Sequence, residues 1–287
     1  MEKSYSRLKI GLVQAKVSDN LNKNLSETAR FVSQAAGKGA SIVCLQELFA
    51  AKYFCQKEKK GVFGLAETVP GKISNFLSKT AKENKVALVG GSLFEKDGNK
   101  YYNTSLIFDK KGKLLSKYRK IHIPYDPKYY EQYYFSSGNL GYAQAYVDGV
   151  RIAPLICYDQ WYPEAARINA LKGAQIIFYP TAIGWTADMK RLEPFSAQRW
   201  ENAMCGHASM NGVYVAAVNR VGKEDDIDFW GGSFISDPFG EVIARASSTK
   251  EEVLVAEIDL DRITSSQEGW GFLKNRRPMS YRELYEI

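Results

Sequence analysis

The sequence repeats one pattern twice, and this repetition restricts the possible folds more than any other feature. Residues 8–118 and 150–246 each read as a strand, a helix, a second strand, a second helix, a third strand and a hairpin. The paired segments are 9–14 with 151–156, 39–43 with 173–177, 84–89 with 211–216, and 105–112 with 233–240. Helices that cover one face of a sheet leave its other face apolar, so two such units are expected to bury these faces against each other.

The repetition therefore predicts an α/β fold, a four-layer αββα sandwich with an internal pseudo-two-fold repeat. We interpret residues 1–287 as a single domain in which residues 262–287 form a C-terminal arm. The length also permits two separately folding domains, which is the alternative. The apolar and aromatic stretch 270–287 is expected either at a subunit contact or packed against its own chain.

Composition argues against several classes of protein. The 39 Lys and Arg exceed the 32 Asp and Glu by seven, but they are scattered, so no nucleic-acid partner is expected. No run of apolar residues approaches membrane-spanning length, and the polar first residues do not resemble a signal peptide. Four widely spaced cysteines predict no disulfide framework and favour the cytoplasm. With only two histidines and no CxxC or HxxxH pattern, no metal site is expected.

Three predicted strands end in polar residues, the position at which α/β proteins place their sites. Glu47 follows a buried apolar run, Cys157 lies at a strand-to-helix turn, and Lys120 leaves a hairpin strand. Each also has an ordinary interpretation, since single cysteines are usually small buried residues and single lysines or glutamates usually face solvent. The three together indicate a nucleophile with its assisting groups.

A cysteine nucleophile needs a base to take its proton. His122 and Glu47 are both candidates, since a carboxylate can act as a base when partial burial raises its pKa. Attack on a carbonyl also creates an oxyanion, which needs a cation or N–H donors. Lys120 and the backbone N–H of Tyr158 are suited to that role.

Three segments, in this order along the chain, resemble the nitrilase superfamily of carbon–nitrogen hydrolases. They are LQELF at 45–49, YRKIHIP at 118–124 and CYDQWYPEAAR at 157–167, and the similarity extends from about residue 8 to NRRP at 275–278. The resemblance implies an αββα fold that dimerises, and a catalytic triad of Glu47, Lys120 and Cys157. It further implies that Glu131 assists as a second glutamate and that no cofactor or metal is used.

Further segments resemble the branch of this superfamily that hydrolyses N-carbamoylputrescine to putrescine, carbon dioxide and ammonia. They are 159–161, 178–184, 206–208, 218–222 and 229–235. After Gly184, however, the chain continues with Trp185-Thr186-Ala187-Asp188, where some members carry an acidic residue suited to the substrate ammonium. The alternatives are the same chemistry on an N-carbamoyl amino acid, as in β-ureidopropionases, or on an ω-amide, and, in a different class, a non-catalytic member of the fold.

The expected partner is a small carbamoyl or amide substrate, with a homodimer or higher homo-oligomer as the assembly. Aromatic side chains suit a slender aliphatic chain, and Asp126, Asp188 or Glu193 are candidates to bind its amine. The predicted substrate-binding residues are Tyr53, Tyr158, Trp161, Thr181, Ala182, Asp188 and Asp126, with Trp185 as a further aromatic candidate.

Overall fold

The structure, a computed structural model, describes residues 7–285. The ends of the predicted domain and arm, residues 1–6 and 286–287, lie outside the described residues. The first half contains β1 (Arg7–Gln14), α1 (Leu21–Gly37), β2 (Ile42–Leu45), α2 (Lys72–Asn84), β3 (Ala87–Val89), β4 (Leu93–Asp97), β5 (Lys100–Phe108) and β6 (Leu114–Arg119). A short two-stranded connection follows, made of β7 (Tyr125–Asp126) and β8 (Tyr129–Tyr130).

The second half repeats the strand–helix–strand–helix–strand–hairpin order and adds several short elements. It contains β9 (Ala145–Val147), β10 (Val150–Pro154), α3 (Pro163–Leu171), β11 (Ile176–Pro180), β12 (Gly184–Trp185), α4 (Ala187–Leu192), α5 (Ser196–Asn211), β13 (Tyr214–Val218), β14 (Val221–Glu224), β15 (Ile227–Trp230), β16 (Phe234–Ser236) and β17 (Val242–Arg245). The chain ends with β18 (Glu252–Asp259) and α6 (Asp261–Trp270). Short 3-10 helices lie at Phe54–Gln56, Lys60–Leu65, Glu131–Tyr133, Cys157–Trp161 and Pro278–Tyr285.

The two main sheets have matching strand orders. The first runs β18-β1-β2-β3-β5-β4, with β6 paired to β5, and the second runs β17-β16-β13-β11-β10-β9. In each sheet three strands pair in parallel before an antiparallel hairpin strand, β5 in one and β16 in the other. Strand β18 lies outside both predicted repeats and returns the chain to the edge of the first sheet, antiparallel to β1.

Alternation along the strands divides the core into three apolar layers. Ile42 and Cys44 of β2 face the second sheet and pack in one cluster with Ile176 and Phe178 of β11. The intervening strand residues face the helices, where α1 and α2 cover the first sheet and α3 and α5 cover the second. The predicted four-layer αββα sandwich is therefore confirmed; its treatment as one domain stays a prediction.

The C-terminal arm is only partly packed. Ile263 of α6 is buried, whereas Trp270 is 66% and Met279 is 69% exposed. Among the described residues, no helix combines the length and the apolar character that crossing a membrane requires.

Candidate active site

Cys157 lies on a strained turn just after strand β10. Its φ of 44° places it in the left-handed region, which a residue with a side chain avoids unless its surroundings hold it there. Asp159 supplies that support, because its Oδ2 accepts hydrogen bonds from the Ile156 N–H at 2.9 Å and the Tyr118 hydroxyl at 2.7 Å. Cys157 at this turn lines a cavity, together with residues of the segments 124–129 and 183–199.

Glu47 lies just beyond β2, where backbone hydrogen bonds fix its position. Its neighbour Leu48 also has a left-handed φ, 47°, and donates its N–H to Ser92 Oγ at 2.9 Å. Arg220 Nη2 donates to the carbonyls of Glu47 and Leu48 at 2.8 and 3.0 Å. The buried Arg220 is paired with Glu224 at 2.7 Å, so its charge is compensated.

Lys120 lies between two carboxylates. Its Nζ donates to Glu47 Oε1 at 2.9 Å and to Glu131 Oε2 at 2.6 Å, and all three side chains are fully buried. Tyr53 donates from its hydroxyl to the other oxygen of Glu131 at 2.7 Å. The structure thus brings the three predicted residues Glu47, Lys120 and Glu131 into one hydrogen-bonded cluster.

Burial and charge shift the protonation of this cluster. Burial alone would lower the pKa of Lys120, but Glu131 and Glu47 together raise that pKa well above its usual value. Burial raises the pKa of Glu131 to about 7, although Lys120 opposes this shift. Lys120 therefore stays charged, and the Glu131 carboxyl holds its proton more readily than an exposed glutamate does.

The charges of Glu47 and Lys120 also affect the pKa of the Cys157 thiol. Burial raises its pKa well above the usual value, the charge of Glu47 adds to this effect, and Lys120 opposes it. The thiol is therefore protonated at neutral pH and needs a base before it can attack. Glu47 Oε2 is buried and makes no hydrogen bond within residues 7–285, so it has lone pairs free to take a proton.

The cavity beside Cys157 has a volume of about 570 Å³ and largely apolar walls, to which Tyr129, Tyr158, Trp161 and Trp230 contribute aromatic rings. Its charged lining consists of Asp126, Glu193 and Arg199. A cavity of this size accommodates a slender molecule of several carbon atoms in an apolar channel with charged groups along its wall.

The predicted substrate-binding residues divide between the cavity wall and other places. Tyr158, Trp161 and Asp126 line the cavity, whereas the Tyr53 hydroxyl contacts Glu131 behind it. Ala182 offers its carbonyl to Cys157 Sγ at 4.0 Å.

The other candidates from the segment after β11 lie beside the cavity or away from it. Buried Thr181 donates to the Tyr179 carbonyl at 3.0 Å. Trp185 packs its ring against Trp230 at 4.7 Å between centroids. The side chain of Asp188 is 86% exposed and faces Arg191 at 3.7 Å, outside the cavity lining.

His122, one of the two candidate bases, is engaged elsewhere. Its Nδ1 lies 2.7 Å from Asp159 Oδ1, and its ring stacks on Tyr162 at 3.6 Å between centroids. His122 therefore supports the Asp159 side chain that holds the Cys157 turn. Glu47 is the base candidate whose charge affects the pKa of the Cys157 thiol.

Two polar residues that hold the site were not among the residues predicted for it. Asn103 donates from Nδ2 to Glu47 Oε1 at 2.8 Å, and Arg220 holds the backbone beside it. Asn103 has no recognisable sequence signal, whereas Arg220 lies in the segment 218–222 that resembles the family, although nothing in that segment indicates its role. Within the described chain, no three His, Cys, Asp or Glu side chains converge as metal ligands.

Comparison with known proteins identifies the family to which this chain belongs. Residues 9–268 match the family model for carbon-nitrogen hydrolases, and the chain belongs to that family. A crystal structure of a carbon-nitrogen hydrolase from Helicobacter pylori superposes with a TM-score of 0.93 at 37% identity, covering 99% of this chain and 100% of that one.

The chain is also similar over nearly its whole length to several named hydrolases. It is 40% identical to N-carbamoylputrescine amidase of Solanum lycopersicum, covering 97% of this chain and 95% of the relative. It is likewise 40% identical to N-carbamoylputrescine amidase of Arabidopsis thaliana, covering 96% and 94%. It is 37% identical to citrullinase of Francisella tularensis, covering 97% and 98%.

Proposed function

We propose that this protein hydrolyses N-carbamoylputrescine to putrescine, carbon dioxide and ammonia through an acyl intermediate on Cys157. Plant relatives with that named activity are similar over almost the whole chain. The observation in the structure that carries the choice of substrate is the charge of the cavity wall, whose lining contains two carboxylates and one guanidinium.

Asp126 is the carboxylate we assign to the substrate ammonium. It lines the cavity, and its side chain makes no ion pair or hydrogen bond with other residues of the described range 7–285. Glu193 is partly neutralised by Arg199, whose Nη1 lies 3.6 Å away. A cationic substrate end therefore meets an unpaired negative charge, while an anionic end would have to compete with Glu193 for Arg199.

The first half of the proposed reaction forms the acyl enzyme. Glu47 Oε2 takes the thiol proton, and Cys157 Sγ bonds to the carbamoyl carbon as the carbonyl electrons move onto oxygen. Lys120 and the Tyr158 backbone N–H stabilise this oxyanion. When the tetrahedral species collapses, one carbon–nitrogen bond breaks, and the departing ammonia or diamine receives the proton held by Glu47.

The second half of the proposed reaction releases Cys157. Glu47 accepts a proton from water, whose oxygen attacks the sulfur-bound carbonyl carbon, and the carbon–sulfur bond breaks. The proton returns to the thiolate, and loss of carbon dioxide completes the products. Glu131, held by Lys120 and by Tyr53, fixes the lysine in place throughout.

The presence of Arg199 in the cavity wall supports the second candidate function. An arginine in the cavity wall could bind the carboxylate of an N-carbamoyl amino acid or of an ω-amide if it separated from Glu193. That substrate would use the same Glu47, Lys120 and Cys157, so only its charged end distinguishes the two functions.

Ammonia release from three substrates tests the proposal. We expect the purified protein to hydrolyse N-carbamoylputrescine with a higher kcat/KM than N-carbamoyl-β-alanine or a short ω-amide, because its cavity wall favours a cation. A preference for either anionic substrate would contradict the putrescine assignment and support the second candidate. Absence of ammonia release from all three would contradict both.

We further propose a homo-oligomer in the cytoplasm. Exposed apolar side chains on α3 and the C-terminal arm, among them Leu171, Trp270 and Phe272, support a surface that a second copy covers. All four cysteines are free, which suits a reducing compartment. A strictly monomeric protein in sedimentation velocity at micromolar concentration would contradict the oligomer.

A further inference from the structure

The two oxygens of Glu47 have different surroundings, and Asn103 contributes to the difference. Oε1 accepts from Lys120 Nζ at 2.9 Å and from Asn103 Nδ2 at 2.8 Å. Oε2 is equally buried and has no hydrogen-bond partner in the described part of the chain. One oxygen is therefore held by two donors, and the other is left for proton transfer.

Asn103 is built into the strand that also fixes Lys120. It lies in β5 and is fully buried, and its carbonyl accepts the backbone N–H of Lys120 at 2.9 Å. Asn103 thus holds Lys120 through its own backbone carbonyl and Glu47 through its side-chain amide. A rigid strand holds such a donor more accurately than a loop would.

Packing alone gives no reason for an amide at this position. The Asn103 Oδ1 is buried without a hydrogen-bond partner among residues 7–285, which disfavours a polar side chain there. An apolar side chain of the same size would avoid that unpaired acceptor. The reverse amide orientation would place an oxygen against the Glu47 carboxylate, so the Nδ2 donor must face it.

We propose that Asn103 is a positioning residue, which holds Glu47 Oε1 so that Oε2 alone is presented to the Cys157 thiol proton. The proposal rests on the proposed role of Glu47 as the base. It concerns proton transfer from the thiol, so it is independent of which substrate binds.

Alkylation of Cys157 by iodoacetamide tests the proposal without any substrate. The rate at pH 7, followed by mass spectrometry of the peptide that carries Cys157, reports how readily the thiol loses its proton. We expect Asn103→Leu, which keeps the side-chain volume and removes the donor, to slow alkylation roughly tenfold. In turnover the same variant should lower kcat and leave KM nearly unchanged.

A matched control separates positioning from a general loss of stability. Asn211 is also a buried asparagine with one donated hydrogen bond, to the His207 carbonyl at 2.8 Å, and a buried Oδ1 without a partner in residues 7–285. In the Asn211→Leu variant, iodoacetamide should alkylate Cys157 at the wild-type rate. Equal slowing in both variants would overturn the proposal, because it would reflect the loss of a buried amide alone.

A second comparison asks whether Asn103 acts through Glu47. Combining Asn103→Leu with Glu47→Gln should slow alkylation no further than Glu47→Gln does alone. Additive effects would overturn the positioning role. If Cys157 is alkylated as fast in Glu47→Gln as in wild type, both the proposed base and this inference are wrong. If alkylation is slow in Glu47→Gln but as fast in Asn103→Leu as in wild type, only this inference is wrong.

Discussion

At the scale of single residues, the site is defined by what each polar group has left unpaired. Lys120 donates two of its three ammonium protons to carboxylates and keeps the third for the substrate oxygen, whereas Glu47 Oε2 makes no hydrogen bond within residues 7–285. In the cavity wall, Glu193 forms an ion pair with Arg199, and Asp126 forms none within the described range. The unpaired groups are those that we expect to meet the substrate.

Asp126→Asn tests the assignment of the ammonium site. We expect KM for N-carbamoylputrescine to rise about fivefold with little change in kcat, because a solvent-accessible ion pair contributes up to about 1 kcal/mol to binding. Steady-state kinetics measure both constants. Asp188→Asn, which alters an exposed carboxylate outside the cavity lining, should leave KM at the wild-type value. The opposite pattern would assign the ammonium to Asp188.

Sequence patterns predicted the candidate reactive residues more successfully than the residues that position them. Glu47 and Cys157 follow buried strands, Lys120 leaves a hairpin strand, and all three lie in distinctive segments, so they could be predicted as candidates. Asn103 could not be predicted, because an isolated asparagine has no spacing that identifies it. Arg220 lies in the family-like segment 218–222, but its residue type alone does not indicate that it holds the Glu47 backbone. The choice between Asp126 and Asp188 depends on loop conformation, which hydrophobic periodicity does not determine.

At the scale of elements, a buried cluster of charged residues stabilises the hairpin of β5 and β6, which ends just before Lys120. Arg119, the residue before Lys120, donates from Nε and Nη2 to Glu95 at 2.9 and 2.7 Å; Glu95 lies on β4, which pairs with β5 and not with β6. Thr104 and Lys117 donate to the same carboxylate at 2.6 and 2.8 Å. The cluster ties β4, β5 and β6 together directly beside the site.

Glu95→Gln tests the contribution of this cluster to stability. Burial alone would raise the pKa of Glu95, but donors from Arg119, Lys117 and Thr104 lower it to about 2. Since the folded pKa is depressed, the stabilisation is present above the ordinary carboxyl pKa, near 4.5, and is lost as the pH falls toward 2.

Urea unfolding monitored by circular dichroism provides the measurement. At pH 7 the variant should lose about 2 kcal/mol of unfolding free energy, and the difference from wild type should shrink between pH 4.5 and pH 2. A difference that stays constant with pH would contradict the account. Glu83→Gln, which removes an exposed ion pair with Lys79, should change stability by less than about 0.5 kcal/mol.

The elements of the two repeats were predictable, and the short elements added in the second half were not. Strands such as β2 and β11 are continuous apolar runs with little ambiguity. The segment from β12 through α4 is short, and α4 has only six residues and no buried side chain. Its conformation depends on contacts with the cavity wall, which local sequence does not encode.

At the scale of the whole molecule, the candidate active site draws on both of the similar halves. Glu47 and Lys120 come from the ends of strands in the first sheet, and Cys157 comes from the end of a strand in the second. Apolar contacts between the sheets, such as those of Ile42 and Ile176, fix the distance between the proposed base and the proposed nucleophile. Neither half contains the triad alone.

Ammonia release by Cys157→Ala tests the central claim most directly. We expect hydrolysis of N-carbamoylputrescine to fall by more than about a thousandfold with the fold intact, because no other group replaces the nucleophile. Cys205→Ala, a change at a half-buried cysteine of α5, should retain wild-type activity and the same circular dichroism spectrum. Substantial turnover by folded Cys157→Ala would contradict the account.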